Sequence, residues 1–284
     1  MAGDFKGEAV PVAAVASLFS SEETPGAIRD PSSARPKDAL LFERTLSAAR
    51  RGARLVVWNE VATIMERPDE PGFVEKGRAV ARETGIDLVM AYGVLLSRRP
   101  FRFENKYLWV RPDGAIADEY WKRHPVPGEG SVPGTKPARI IPLDPARPEL
   151  GKAGGGICYD MDFPPIPLGL VRAGAGLVAL PSSDWRGIDP IHSDMARIMG
   201  VAIGVSVLRP VRSATSFASD PYGRVRASRR FYENGDGVML ASLPAVPVPT
   251  LYAKVGDVFP IANVIFSLGV LGVLVGAVLR RRRQ

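Results

Sequence analysis

The chain has 284 residues, 46% of them hydrophobic and 24% charged, which argues against a disordered protein and suits one large globular domain or two small ones. Its 37 Lys+Arg against 30 Asp+Glu leave a net charge of +7, four of which come from the arginines at 280–283. No stretch interleaves lysines with aromatic residues, so the basic balance does not point to a nucleic-acid groove.

In chain order, residues 10–17 read as a short buried strand. After a loop rich in Ser, Glu and Pro, residues 36–51 have helical periodicity, with Leu40, Leu41, Leu46 and Ala49 toward one side. Residues 54–58 form the next strand, ending at Asn59 and Glu60; a helix covers about 72–84, and 86–92 is again a strand. This alternation implies a sheet with helices packed on a face. Residues 105–110 and 115–120 flank Arg-Pro-Asp-Gly, a turn sequence, and are expected to pair as a hairpin. A Pro- and Gly-rich loop at 125–137 carries no regular period. A strand then leads into Cys158, followed by a helix at about 164–173 and a strand at 176–180. Residues 190–200 read as helix, and 205–209, 214–219 and 238–242 as strands, with an Asp-Pro-Tyr-Gly turn at 220–223. The body is expected to be one mixed α/β domain over residues 8–243, with a Pro-rich linker at 244–257.

Residues 258–279 are 22 residues without a charge, against the ~20 that cross a bilayer core, and glycines at 269, 272 and 276 suit a membrane helix. The segment is expected to span a membrane once. The basic tail at 280–284 would then lie in the cytoplasm and the domain outside it, as in an inner-membrane protein. The N-terminus carries no apolar signal region. Either the protein is tail-anchored with a cytosolic domain, or an upstream membrane portion is missing from this chain; the arginines favour the second.

Three candidate groups fall at the ends of expected strands, where an α/β sheet places functional side chains. They are Glu60, Lys122 and Cys158. Cys158 is the only cysteine, so it has no intramolecular disulfide partner and no second thiolate for a metal cluster. It is either an inert buried thiol, the commoner fate, or a nucleophile. A thiol attacks only once something takes its proton or lowers its pKa. Neither His124 nor His192 sits in a convincing base motif. A partly desolvated carboxylate serves as base, and a nearby lysine favours the thiolate or donates to an oxyanion. Glu, Lys and Cys together are a complete set for acyl transfer through a thioester.

The chain resembles the carbon–nitrogen hydrolase (nitrilase) superfamily, which uses Glu, Lys and Cys in that order. Within it the likeness is to the catalytic domain of the apolipoprotein N-acyltransferase family. The motifs that carry it are Tyr120-Trp-Lys-Arg-His-Pro-Val-Pro-Gly-Glu129 and Ile157-Cys-Tyr-Asp160. Ser182-Ser-Asp-Trp185, Ile191-His-Ser-Asp-Met-Ala-Arg197 and Tyr252-Ala-Lys-Val-Gly-Asp257 support it. The resemblance implies a nitrilase-like four-layer α-β-β-α sandwich plus the C-terminal membrane helix. It implies Glu60 as general base, Lys122 as partner of the oxyanion, Cys158 as nucleophile and the Tyr159 backbone N–H as a second oxyanion donor. Glu129 matches a family glutamate that orients Lys122 or handles protons, and Trp185 either lines the pocket or simply packs. Lys106 is a further candidate cation in what reads as an ordinary strand. No metal or cofactor is expected.

Three departures stand out: residues 198–202 replace an Arg-Ala-x-Glu-like stretch, 209–214 only partly echo Arg-Ala-Thr-Asn-x-Gly, and Asp160 replaces a glutamate. The function implied is transfer of a fatty acyl group, through a Cys158 thioester, from a phospholipid to the N-terminal amine of a lipoprotein. The alternatives are an amidase or nitrilase acting on a small amide or nitrile, and a degenerate, non-catalytic membrane-bound partner. Superfamily members often pair, so an oligomer is among the expected states.

Overall fold

The computed structural model describes residues 8–16 and 35–282. The loop expected after the first strand, Ser17 and Arg283 lie outside the described residues. The first half runs β1 (Ala9–Val15), α1 (Arg35–Arg50), β2 (Leu55–Trp58), β3 (Ile64–Glu66), α2 (Glu70–Thr84), β4 (Asp87–Arg98), β5 (Phe101–Val110) and β6 (Ile116–Trp121). The second half begins with β7 (Ile141–Pro142), β8 (Lys152–Gly155), α3 (Pro165–Arg172), β9 (Leu177–Ala179), β10 (Ser182–Ser183) and α4 (Ile191–Ile203). It continues with β11 (Ser206–Arg209), β12 (Val211–Arg212), β13 (Thr215–Ser219), β14 (Val225–Arg230), α5 (Phe231–Asn234), β15 (Val238–Pro244), α6 (Leu251–Val255) and α7 (Val258–Arg281).

Two sheets carry the domain. One has the order β15-β1-β2-β4-β5-β6 with β3 beside β4; the other has β14-β13-β11-β9-β8-β7. The strands that read as continuous apolar runs, β1, β2 and β9, pair in parallel with a neighbour and are buried on both faces. Three apolar layers result. Leu41, Phe42, Trp58, Phe73 and Met90 fill the space between α1, α2 and the first sheet. Val57, Tyr107, Trp109, Leu177 and Leu208 lie between the two sheets. Leu168, Leu170, Ala196 and Val207 lie between the second sheet and α3 and α4. The sequence α, β, β, α of the layers is the nitrilase-like sandwich that the resemblance implied.

Most expected elements are present, with displaced ends. The hairpin of β5 and β6 pairs Leu108 with Glu119, and β4 extends past Tyr92 to pair with β5 along its length. Strands β3, β10, β12 and β14 were not legible: the first three have two or three residues, and β14, Val-Arg-Ala-Ser-Arg-Arg, has almost no apolar face. The segment 244–257 is laid on the body. Lys152 N–H donates to Ala245 O (3.1 Å), Val248 N–H to Gly204 O (2.8 Å) and Thr250 Oγ1 to Ala202 O (2.6 Å). Beyond it α7 is 24 residues long and buries none of its residues, with length and hydropathy sufficient to cross a membrane.

The close approach of 244–257 depends on a missing side chain. A methyl group at Gly176 would overlap the Ala245 carbonyl and the Val246 nitrogen, which are backbone and cannot swing away. Gly176→Ala is expected to lower unfolding free energy by about 2–3 kcal/mol, read by denaturant titration in detergent.

Candidate active site

Each strand-end group sits where its strand stops. Glu60 follows β2 by two residues and precedes Val61, whose φ is 45°. Lys122 follows β6 directly. Cys158 follows β8 by three residues and opens a 3-10 turn, Cys158–Asp162, with φ 50°. A β-branched or thiol-bearing residue in this left-handed region costs roughly 1–2 kcal/mol, so the surrounding packing imposes both conformations. Gly155, just before the turn, lies against Tyr107; an added Cβ would meet its hydroxyl at 2.7 Å.

Lys122 and Glu60 are both almost wholly buried and meet at 2.7 Å between Nζ and Oε1. Glu129 Oε2 lies 2.7 Å from the same ammonium. Asn105 Nδ2 joins the two acids, donating to Glu60 Oε1 (2.7 Å) and Glu129 Oε1 (2.8 Å). Ser131 Oγ and the Val126 N–H complete the donors on Glu129. Burial by itself would raise the Glu129 carboxyl and lower the Lys122 ammonium. The ion pairs outweigh it, so Glu129 titrates below and Lys122 well above the ordinary value. At neutral pH this is a cation held between two acids.

Cys158 is 3% exposed, its Sγ 3.7 Å from Ser183 O and 4.0 Å from Asp184 Oδ1. Burial, and then the negative charge of Glu60, push its thiol well above the usual range, against the pull of Lys122. The resting group is therefore the neutral thiol.

Asp160, the second residue after Cys158, is fully buried and ties the turn to the Lys122 loop. Its carboxylate accepts from Tyr120 Oη (2.8 Å), the backbone N–H groups of Arg123 (3.1 Å), His124 (2.8 Å) and Ile157 (3.1 Å), and contacts His124 Nδ1 (3.2 Å). The His124 ring stacks on Phe163, centroids 3.7 Å apart. His124 is thus a spacer in this clamp.

On the other side of the thiol lies a second ion network. His192 Nδ1 is 2.7 Å from Asp184 Oδ1, its Nε2 is 3.3 Å from Asp162, and Arg209 Nη2 is 2.9 Å from Asp184 Oδ2. Burial lowers the His192 pKa, but hydrogen bonds to Asp162 and Asp184 raise it further, to about 9. Cys158, Asp184 and His192 bring three potential metal ligands within 4.8 Å of one another. An imidazolium and a guanidinium already supply the positive charge there, so the donor set does not fit a metal ion.

A cavity of about 660 Å³ opens over this arrangement. Glu60, Asn105, Lys122, Glu129, Ser183, Asp184 and Arg212 supply its polar walls, and Val61, Phe101, Phe103, Val126 and Trp185 its apolar ones. Of the residues singled out from sequence, Glu60, Lys122, Glu129 and Trp185 line it, and Cys158 adjoins it through Ser183 and Asp184. The Tyr159 N–H lies in the first turn of the 3-10 segment, where N–H groups lack intrahelical partners by construction. Lys106 faces elsewhere, in a separate cluster with Glu70 (2.5 Å) and Glu104 (2.9 Å). Sequence reasoning did not find Asn105, Asp184, Arg209 or Arg212, and it took Asp160 only as a departure and His192 only as a poor base. Asp184 was within reach, as a buried acid inside a quoted motif.

A thiol, a carboxylate and an ammonium thus lie at the sheet ends of an α-β-β-α sandwich. The carbon–nitrogen hydrolase family model matches residues 16–247, and the chain belongs to that family. It is 36% identical over 118 residues to apolipoprotein N-acyltransferase from Bradyrhizobium diazoefficiens, a match covering 40% of this chain and 21% of that protein. It is 33% identical over 95 residues to deaminated glutathione amidase from Mus musculus, covering 31% of this chain and 29% of that one. Both matches thus span under a third of the relative's length. Among solved structures, Saccharomyces cerevisiae Nit3, a member of branch 10 of the nitrilase superfamily, superposes with a TM-score of 0.65 at 23% identity, covering 88% of this chain and 96% of that one.

Two predictions follow from the geometry. Asp160→Asn leaves one oxygen to serve donors that two now serve. It is expected to cost about 2–4 kcal/mol and to slow alkylation or acylation of Cys158, measured by denaturation and by mass spectrometry of the thiol. His192 gains a proton on folding, because its folded pKa of about 9 exceeds the unfolded 6.5. Its contribution is complete below pH 6.5 and disappears as pH rises through about 9. Stability is expected to fall across that window in the wild type and to fall less steeply in His192→Gln.

Proposed function

We propose that this chain is a membrane-anchored acyltransferase that carries a fatty acyl group on Cys158, from a phospholipid to the N-terminal amine of a lipoprotein. The observation that carries the reading is the joining of a Glu60–Lys122–Glu129 ion cluster beside a buried thiol to a wholly exposed apolar helix, α7. A membrane helix suits a reaction in which both substrates stay in the bilayer. The likeness to apolipoprotein N-acyltransferase supports the same donor and acceptor. On this reading α7 crosses the inner membrane with the arginines in the cytoplasm and the catalytic domain outside.

The chemistry assigned to the residues is as follows. Among the described residues both hydrogen bonds to the Glu60 carboxylate fall on Oε1, which leaves Oε2 to take the Cys158 proton as Sγ attacks the ester carbonyl. The C–S bond forms, the carbonyl oxygen becomes an oxyanion, and Lys122 with the Tyr159 N–H stabilises it. Collapse expels the lysophospholipid alkoxide, which takes the proton back. The amine then attacks the thioester by the same steps in reverse order, and the thiol is restored. Glu129 holds Lys122 in place and carries no proton.

A second reading, hydrolysis of a small amide, is favoured by the likeness to deaminated glutathione amidase. It shares every step up to the thioester and differs only in the leaving group and in water as acceptor. Incubation with phospholipid is expected to add an acyl mass to Cys158, removed by Cys158→Ala and lowered ~10²- to 10⁴-fold in rate by Glu60→Gln. Acyl addition that persists in Cys158→Ala would overturn the assignment. Ammonia release from small amides without any lipid acylation would replace the first reading with the second.

A further inference from the structure

Among the described residues, the other buried cationic side chains all have a carboxylate close by. Lys106 has Glu70 at 2.5 Å, Lys122 has Glu60 at 2.7 Å, His192 has Asp184 at 2.7 Å and Arg209 has Asp184 at 2.9 Å. Arg212 has none. It is 5% exposed, and its guanidinium donates Nε (3.1 Å) and Nη2 (2.8 Å) to one neutral hydroxyl, Ser183 Oγ. Its Nη1 is buried and has no partner. A buried charge without a counter-ion is expensive to keep, and an unpaired buried donor adds to the cost.

Arg212 is also built into the site. It lines the cavity, and the two-residue ribbon of β10 and β12 sets it in register with Ser183, the residue whose carbonyl contacts Cys158. The next residue, Ser213, has φ 61°. Val61, Cys158 and Ser213 are the non-glycine residues of positive φ among the described residues, and they mark Glu60, Cys158 and Arg212. Backbone held in a disfavoured region at all three places indicates that Arg212 is positioned with the same insistence as the other two.

We infer that Arg212 recognises an anionic oxygen group of the substrate, a phosphodiester or a carboxylate, beside the acyl group attacked by Cys158. The three acids of the cavity are not available to it, since Glu60 and Glu129 already share Lys122 and Asn105, and Asp184 is paired with His192 and Arg209. The missing counter-ion is therefore brought by the ligand. Binding satisfies Nη1 and neutralises the guanidinium in one step, which favours substrates with a charge near the scissile bond over neutral ones of equal size. This rests on the reading of the cavity as the acyl-transfer site. It adds to that reading a requirement on the substrate.

The test compares two pairs of donors on the full chain in detergent micelles. One pair is dioleoyl phosphatidylglycerol and dioleoylglycerol; the other is succinamate and butyramide. The rate of Cys158 acylation is read by mass spectrometry. In the wild type one anionic member is expected to be favoured over its neutral partner by ~10- to 100-fold, and the pair in which this occurs identifies phosphate or carboxylate. Arg212→Gln is expected to bring that ratio to about one by slowing the anionic member alone, and Arg212→Lys to keep part of it. If Arg212→Gln does not fold, Arg212→Lys alone decides by the same ratio. Equal loss on both members, or a wild type indifferent to charge, overturns the inference. If none of the four acylates Cys158, the acyl-transfer reading fails separately. Arg212 is then read by whether inorganic phosphate or succinate slows iodoacetamide labelling of Cys158 in the wild type but not in Arg212→Gln; no slowing in the wild type overturns it.

Discussion

The site rests on one buried carboxylate. Asp160 gathers the hydroxyl of Tyr120, three backbone N–H groups and the His124 ring onto its two oxygens. Two of those backbone donors belong to the loop that follows Lys122, and a third belongs to the residue before Cys158. Lys122 follows a strand of one sheet and Cys158 a strand of the other. Without a shared acceptor, nothing in the strand pairing would fix the ammonium relative to the thiol. A carboxylate in this role also has to be saturated, since a buried charge with idle lone pairs would cost more than it organised.

Charge around Cys158 is arranged in two compartments. On one side Lys122 lies between Glu60 and Glu129; on the other Asp184 lies between His192 and Arg209. The first holds two acids to one cation, while the second, counting Asp162, is balanced, so the charge of Glu60 adds to burial in keeping the thiol protonated. This differs from a thiolate–imidazolium pair, in which the nucleophile rests ionised. On the proposed reading, reactivity is released only when the acyl group arrives and a base is aligned, and a buried, neutral thiol is also protected from stray oxidants.

Glu60, Lys122 and Cys158 were legible in the sequence as an ordered set at expected strand ends that matches the Glu, Lys, Cys order of the family; each alone was a weak signal. The layered fold was legible from residues 55–58 and 176–180, which carry no polar side chain and demand cover on both faces. What stayed hidden depends on convergence. Asn105 reads as a polar residue in a strand until β4 and β6 flank it and aim its amide at two acids. His192 is three-dimensional in the same way, since its partners Asp162 and Asp184 come from different turns. Strands β10 and β12 are two residues each, below any periodicity, yet they set the wall that carries Ser183 and Arg212.

On the proposed reading, the cavity's two textures decide which acceptors a Cys158 thioester would meet. Its polar groups concentrate where Glu60, Lys122 and Glu129 converge, while Phe101, Phe103, Val126 and the half-exposed Trp185 supply apolar wall. Water reaches an open polar site readily, so hydrolysis is the default fate of an acyl thiol there. Transfer to an amine wins only if the acyl chain and the acceptor displace that water, which apolar walls favour and a polar cavity of the same size would not. A helix like α7, which holds the domain against a bilayer on the proposed reading, raises the local concentration of such acceptors and donors without altering the three reacting side chains. The difference between a hydrolase and a transferase on this fold therefore lies in what lines and anchors the pocket, while the ion cluster beside the thiol serves both.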